Sequence, residues 1–229
     1  MVKDTQIDIG FILTEPVTVL TNITIGLTCF YFCLTLSKQK QIPEWTIYWY
    51  RFFLWIGVSA IVGGVFHGLK TYFSPLLFSA IKLGMNVSSM PASLALLKLT
   101  TQISILKEVD KKKINKISFW LILSMCLLTV LINQFYLVKI IAGIVILYSI
   151  SIHLKCSKIG MKGSGLIASG FIFSLSSLFV HTTQFSISEW FNYKDISHVI
   201  MNTSLIIIFI GVNTSANFFQ LTENQRSKT

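Results

Sequence analysis

The sequence predicts an all-α bundle of seven transmembrane helices, and three observations carry that prediction. Apolar runs of about 20 residues, the length that crosses a hydrocarbon core roughly 30 Å thick, recur along the whole 229-residue chain. Hydrophobic residues make up 53% of it and charged residues 12%, with a mean hydropathy of +0.69; that leaves too little polar surface to cover a soluble globule of this size. The net charge of +10 comes from lysines gathered in the gaps between the runs. No basic, aromatic-interleaved surface stands apart from them, so the charge points to membrane topology rather than to nucleic acid.

The first helix is expected over 15–36 and the second over 50–69, separated by the polar stretch SKQKQIPEW. The third, over 74–97, has a marked start, with Ser74 as N-cap and Pro75 at the first helical position. Residues 98–116, containing KEVDKKKINK, read as the longest polar loop and lead into a short fourth helix over 117–132. Asn133 and Gln134 mark a turn into the fifth helix, 135–153. HLKCSKIGMKGSG then leads to the sixth, 166–183, and the seventh covers 196–218 before a polar tail. No internal repeat or low-complexity segment is present, and the chain reads as a single membrane domain over 1–229.

Basic residues fix the expected orientation, because cytoplasmic loops are enriched in Lys and Arg. One side collects Lys38, Lys40, Arg51, Lys98, Lys107, Lys111, Lys112, Lys113, Lys116, Lys155, Lys158, Lys162, Arg226 and Lys228, whereas the other has Lys3, Lys70 and Lys194. The N-terminus is therefore expected outside and the C-terminus in the cytoplasm. The first apolar run is followed, not preceded, by positive charge and has no small-residue cleavage site, which reads as a retained helix rather than a signal peptide. Lys82 and Lys139 fall within helices near the outer face, where snorkelling is the expected behaviour. Cys29 and Cys33 lie one helical turn apart, and Cys126 and Cys156 have no sequence partner, so no disulfide is expected. The sequons at Asn22, Asn86, Asn202 and Asn213 lie inside helices, where a glycan cannot be accommodated.

Ionisable residues in a bilayer mark functional sites by default, and here they gather at the outer helix ends. Glu15 opens helix one, His67 closes helix two, His181 closes helix six, and Asp195 and His198 open helix seven. Asn22, Asn86 and Asn202 continue the polar pattern inward. The spacing of Asp195, His198 and Asn202 places all three on one helical face, so an outward-opening polar pocket is expected. The structural alternative is interfacial residues near water, with asparagines joining helices by hydrogen bonds. A zinc site would use His67 and His198 with Asp195 or Glu15, leaving an open position for water.

The early Glu15/Asn22 pair, the GGVFHG ending of helix two and the WFNYKDISHVIMN opening of helix seven resemble the superfamily of alkaline ceramidases, adiponectin and progestin receptors and hemolysin III-like proteins. Its hydrolytic members bind zinc through a Ser-x-x-x-His on helix two, an Asp on helix three and a His-x-x-x-His on helix seven, and attack a lipid amide with activated water. Position by position, His67 and His198 match two of these. Gly63 stands at the serine position, Asn86 at the aspartate and Asn202 at the last histidine. Asparagine is a poor zinc ligand and no base at neutral pH, so the three-histidine site cannot form as written.

Three functions follow as expectations: a divergent metal-dependent hydrolase of a lipid amide or ester, a non-catalytic lipid-binding or partner-binding protein, and a small-solute facilitator. The facilitator is disfavoured by the few prolines available as hinges, Pro16, Pro43, Pro75 and Pro91. A retinal protein is excluded because the last helix has no lysine between Ile196 and Phe218, and no phosphate-binding GxxxxGK[ST] occurs. Membrane lipid is the expected partner; oligomeric state is not readable from these residues.

Overall fold

The computed structural model describes residues 4–39 and 43–226. Lys3, Lys40 and Lys228, counted in the charge bias, lie outside the described residues. The architecture is all-α with one short hairpin: β1 (Gln6–Asp8), β2 (Ile12–Thr14), α1 (Pro16–Ser37), α2 (Thr46–Leu69), α3 (Pro75–Ser88), α4 (Met90–Ile103), α5 (Glu108–Ile132), α6 (Phe135–Lys158), α7 (Ser164–Thr183) and α8 (Tyr193–Arg226). Six of these helices, α1, α2, α5, α6, α7 and α8, are long and apolar enough to cross a bilayer. Large apolar side chains face outward in bands, among them Ile140, Ile144 and Leu147 on α6 and Leu127 and Leu131 on α5. In water such bands would be an aggregation surface; facing acyl chains they need no cover. The chain is an integral membrane protein.

Helices α1, α2, α4, α6, α7 and α8 form a closed ring, each packed on the next and α8 returning to α1. α5 stands outside it against α4, α6 and α3, which is why its apolar stretch is only 17% buried. The third expected helix appears as α3 and α4, interrupted only at Ser89. Pro91 explains the break: it has no N–H to donate to the carbonyl four residues back, and its ring crowds the preceding turn. Ser74 caps α3 as expected, accepting from the Leu77 N–H at 3.3 Å.

Several helices outrun their expected bounds: α2 begins at Thr46 rather than 50, α6 ends at Lys158 rather than 153, and α8 covers Tyr193–Arg226, taking in most of the expected polar tail. The segment over 98–116 is not a loop, since α4 continues to Ile103 and α5 begins at Glu108. Glu108 and Asp110 lie in the first turn of α5, where the helix dipole favours acids, and Lys111 bridges to Glu108 at 2.9 Å. A charged sequence therefore extends a spanning helix instead of leaving it. The hairpin was also unforeseen. Its turn rests on Gly10 at φ +92° and on the Asp8 carboxylate accepting from the Gly10 N–H at 3.0 Å. Tyr72 accepts from the Ile12 N–H at 2.7 Å, and Thr14 donates to the His67 and Gly68 carbonyls, seating the hairpin on the end of α2.

Packing is tightest between α7 and α8. A methyl at Gly211 would stand 2.8 Å from the Gly163 carbonyl oxygen and 2.7 Å from Ile167, and one at Gly170 would meet Ile208 at 2.6 Å. Small residues thus let the two backbones approach. Near the Lys38 end an aromatic cluster fills the ring: Phe32 stacks on Phe209 at 4.0 Å, Phe53 meets Phe32 edge-on at 5.1 Å, and Trp49 lies over Phe171 at 6.4 Å. Gly211→Ala is expected to destabilise the bundle by about 1–3 kcal/mol, because backbone must move to admit the methyl. Gly84→Ala, whose methyl would meet no atom within 4 Å, is expected to leave the melting temperature in detergent unchanged or raised.

Candidate functional site

The ring encloses a cavity of about 490 Å³, within the roughly 300–1,000 Å³ typical of small-molecule sites. No residue of α5 lines it. Toward the aromatic cluster its wall is apolar, with Phe52, Leu96, Phe171, Leu205 and Ile208. Toward the hairpin it becomes polar, with Asn22, His67, Lys82, Lys139, His181, Lys194 and His198. The cavity is therefore graded along the helix axes, oily at one end and cationic at the other.

Glu15 organises the polar end. It caps α1 in a left-handed conformation, φ +46° and ψ +54°, which costs a non-glycine residue about 1–2 kcal/mol. Its carboxylate is 2% exposed and is shared among three cationic or imidazole groups. Lys70 approaches Oε1 at 2.7 Å and Lys194 at 2.8 Å, while His67 Nδ1 lies 2.5 Å from Oε2. His67 Nδ1 and Glu15 Oε2 have no other polar partner among the described residues, so each engages the other. Burial opposes ionisation of Glu15, but the contacts with His67 and Lys194 hold its carboxyl well below the usual carboxylate range. One anion at the start of α1 thus joins the end of α2 to the start of α8.

Asp195 is fully buried and serves the backbone. Asn192 and Asp195 form a reciprocal cap at the start of α8: the Asp195 carboxylate accepts from the Asn192 N–H at 2.8 Å, and the Asn192 side chain accepts from the Lys194 N–H at 2.9 Å. The other Asp195 oxygen accepts from the Thr18 hydroxyl at 2.6 Å, tying α8 to α1. One turn further, His198 Nδ1 lies 3.0 Å from the Thr21 hydroxyl, whose proton goes to the Thr18 carbonyl.

The amides separate. Asn22 lines the cavity and donates to the Thr18 carbonyl at 2.9 Å, and its Oδ1 lies 3.2 Å from where a Gly63 methyl would stand. A serine at position 63 would therefore need Asn22 to give way. Asn86 is turned instead toward Asn133, donating to its Oδ1 at 3.2 Å, and neither Asn86 nor Asn202 lines the cavity. The expected inward line of amides reduces to Asn22.

Both oxygens of Asp195 are engaged by Thr18 and the α8 cap, His67 is held against Glu15, and among the described residues no three His, Cys, Asp or Glu side chains gather to hold a metal ion. Lys82 and Lys139 also line the cavity. Lys139 donates to His181 Nδ1 at 3.1 Å and lies 5.4 Å from the Phe135 ring centre.

Residues 17–217 match the model of a family of unknown function, DUF6962. The chain belongs to that family. The DUF6962 match takes in α1 through most of α8, and so every cavity-lining residue, while Glu15 lies two residues before it. No curated protein matches the chain in sequence.

Replacing Glu15 by Gln leaves Lys70, Lys194 and His67 without their shared anion and is expected to cost about 3 kcal/mol at pH 7. The carboxyl ionises at lower pH in the folded chain than in the unfolded one. Its stabilisation is complete above about pH 4.3, the unfolded value, and fades as pH falls below it. Melting curves of wild type and E15Q measured from pH 7 to pH 3 should therefore converge toward the acid end; parallel curves would mean that Glu15 is not the ionised hub.

Proposed function

We propose that this protein binds a membrane lipid in the cavity between α2, α4, α6, α7 and α8, and that it is a non-catalytic relative of the ceramidase-like superfamily. The graded lining of the cavity carries this reading: Phe52, Phe171, Leu205 and Ile208 suit an acyl chain, and Asn22, His181 and Lys194 suit a headgroup. The GGVFHG and WFNYKDISHVIMN segments support the relationship, since they supply His67 and His198 to one cavity.

In this reading α3 and α4 together form the third of seven spans, bent at Pro91. The excess of Lys and Arg at the opposite end of the bundle supports an N-terminus outside, a C-terminus in the cytoplasm and a cavity opening outward. An apolar floor of this extent offers a hydroxylated solute few partners, which weighs against a facilitator.

Metal-dependent lipid amide hydrolysis is the second reading, and the observation favouring it is that His67 and His198 line the same cavity. The two readings part on metal content. Plasma mass spectrometry of purified protein beside a His67→Ala/His198→Ala variant is expected to show no stoichiometric zinc in either; zinc present in wild type and lost in the variant would favour hydrolysis.

Lipid binding has its own test. Gly143 lines the cavity, and a methyl there would meet no atom within 4 Å, so a bulky side chain can be introduced without a clash at its base. Gly143→Trp is expected to lower the lipid retained through purification, as quantified by lipid mass spectrometry. Equal retention by the two proteins would remove the cavity from the lipid's binding site.

A further inference from the structure

Glu15, Asp195 and Asp4, the acids beside the polar end of the cavity, are already engaged. Glu15 is held by Lys70, Lys194 and His67, Asp195 by Thr18 and the α8 cap, and Asp4 by Lys70 at 2.6 Å. Two cavity-lining ammonium groups have no carboxylate. Lys82 makes no ion pair or hydrogen bond among the described residues, and Lys139 meets only His181 Nδ1 and the Phe135 ring. Both are half-buried, and both sit inside helices. At 1.5 Å per residue, Lys82 lies about 10 Å and Lys139 about 6 Å along the axis from the first residue of its helix.

An ammonium at this depth is costly without a counter-charge. Lining the cavity places both ammonium groups where a bound ligand reaches them. An anion that fills the cavity supplies the missing counter-charge, and the apolar floor suits one that carries a hydrocarbon chain.

Resting on the lipid-binding reading above, we infer that the cavity selects an anionic lipid, whose carboxylate or phosphate headgroup is held by Lys82 and Lys139 while its acyl chain lies against Phe52, Phe171 and Leu205. Both lysines come from helices other than those joined by Glu15, so the ligand supplies to α3 and α6 the charge that Glu15 supplies to α1, α2 and α8.

Three probes with one oleoyl chain test this on full-length protein, delipidated in a non-ionic detergent: oleate, oleoyl lysophosphatidate and the uncharged monoolein. Binding is read by native mass spectrometry. At least one anion is expected to bind about tenfold or more tightly than monoolein, and the stronger of the two identifies the headgroup. Lys82→Met/Lys139→Met is expected to remove that preference while keeping monoolein binding, which shows that the variant is folded; Lys82→Arg/Lys139→Arg is expected to keep the preference. Monoolein binding as tightly as both anions in wild type, or a preference that survives in the double methionine variant, overturns the anion assignment and leaves lipid binding standing. Failure of all three probes to bind overturns both.

Discussion

A single buried carboxylate organises the polar half of this bundle. Glu15 stands where the hairpin ends and α1 begins, and Lys70, Lys194 and His67 converge on its two oxygens from the end of α2 and the start of α8. In a bilayer the hydrophobic effect gives helices little reason to prefer one neighbour over another, so polar contacts and close packing set the arrangement. The left-handed backbone at Glu15 is a local strain accepted because three partners hold its side chain in place. Thr18, one turn later, adds the bond to Asp195 that fixes where α8 starts. The first turn of α1 therefore aligns both ends of the chain at the mouth of the cavity.

That alignment also changes what the histidines can do. His67 is drawn to Glu15 and His198 to Thr21, so each imidazole has one nitrogen turned to a protein partner before any ligand arrives. Gly63 and Asn22 fit each other as closely as the surrounding helices allow. Glycine at position 63 leaves room for Asn22, and Asn86 joins the turn at Asn133.

Much of the fold was legible because apolar length is a strong signal. The cores of six spanning helices fall where runs of apolar residues placed them, and the third expected helix covers most of α3 and α4. The failures arose where charge and helicity coincide. KEVDKKKINK reads as a loop by polarity, yet acids followed by lysines are a favourable helix start, and α5 uses them so. The hairpin was missed because its six paired residues are short beside the helices, although Asp8 and Gly10 carry a turn signal. At the site, Glu15, His67, His181 and His198 were found from the cost of burying ionisable groups. Asp195 was read as a candidate ligand, and its carboxylate caps α8 and bonds Thr18, since an acid at the third position of a helix is as much a cap as a ligand. Lys82 and Lys139 were noticed and set aside, because sequence alone does not say whether a lysine near a helix end turns toward lipid or toward the bundle.

The position of α5 has a consequence for how the sequence can diverge. It leans on the ring from outside and lends nothing to the cavity wall. Outward-facing residues such as Leu127, Val130 and Leu131 answer to the acyl chains around them, whereas Ile122 and Thr129 are buried against the neighbouring helices. One apolar side chain serves nearly as well as another on the outward face, so drift there should be fast and chemically conservative. The ring helices, crowded at Gly170 and Gly211 and charged at their ends, have far less latitude. Variation across the family should therefore concentrate on α5, and a face of α5 that resisted it would betray a neighbour in the membrane that this chain alone does not contain.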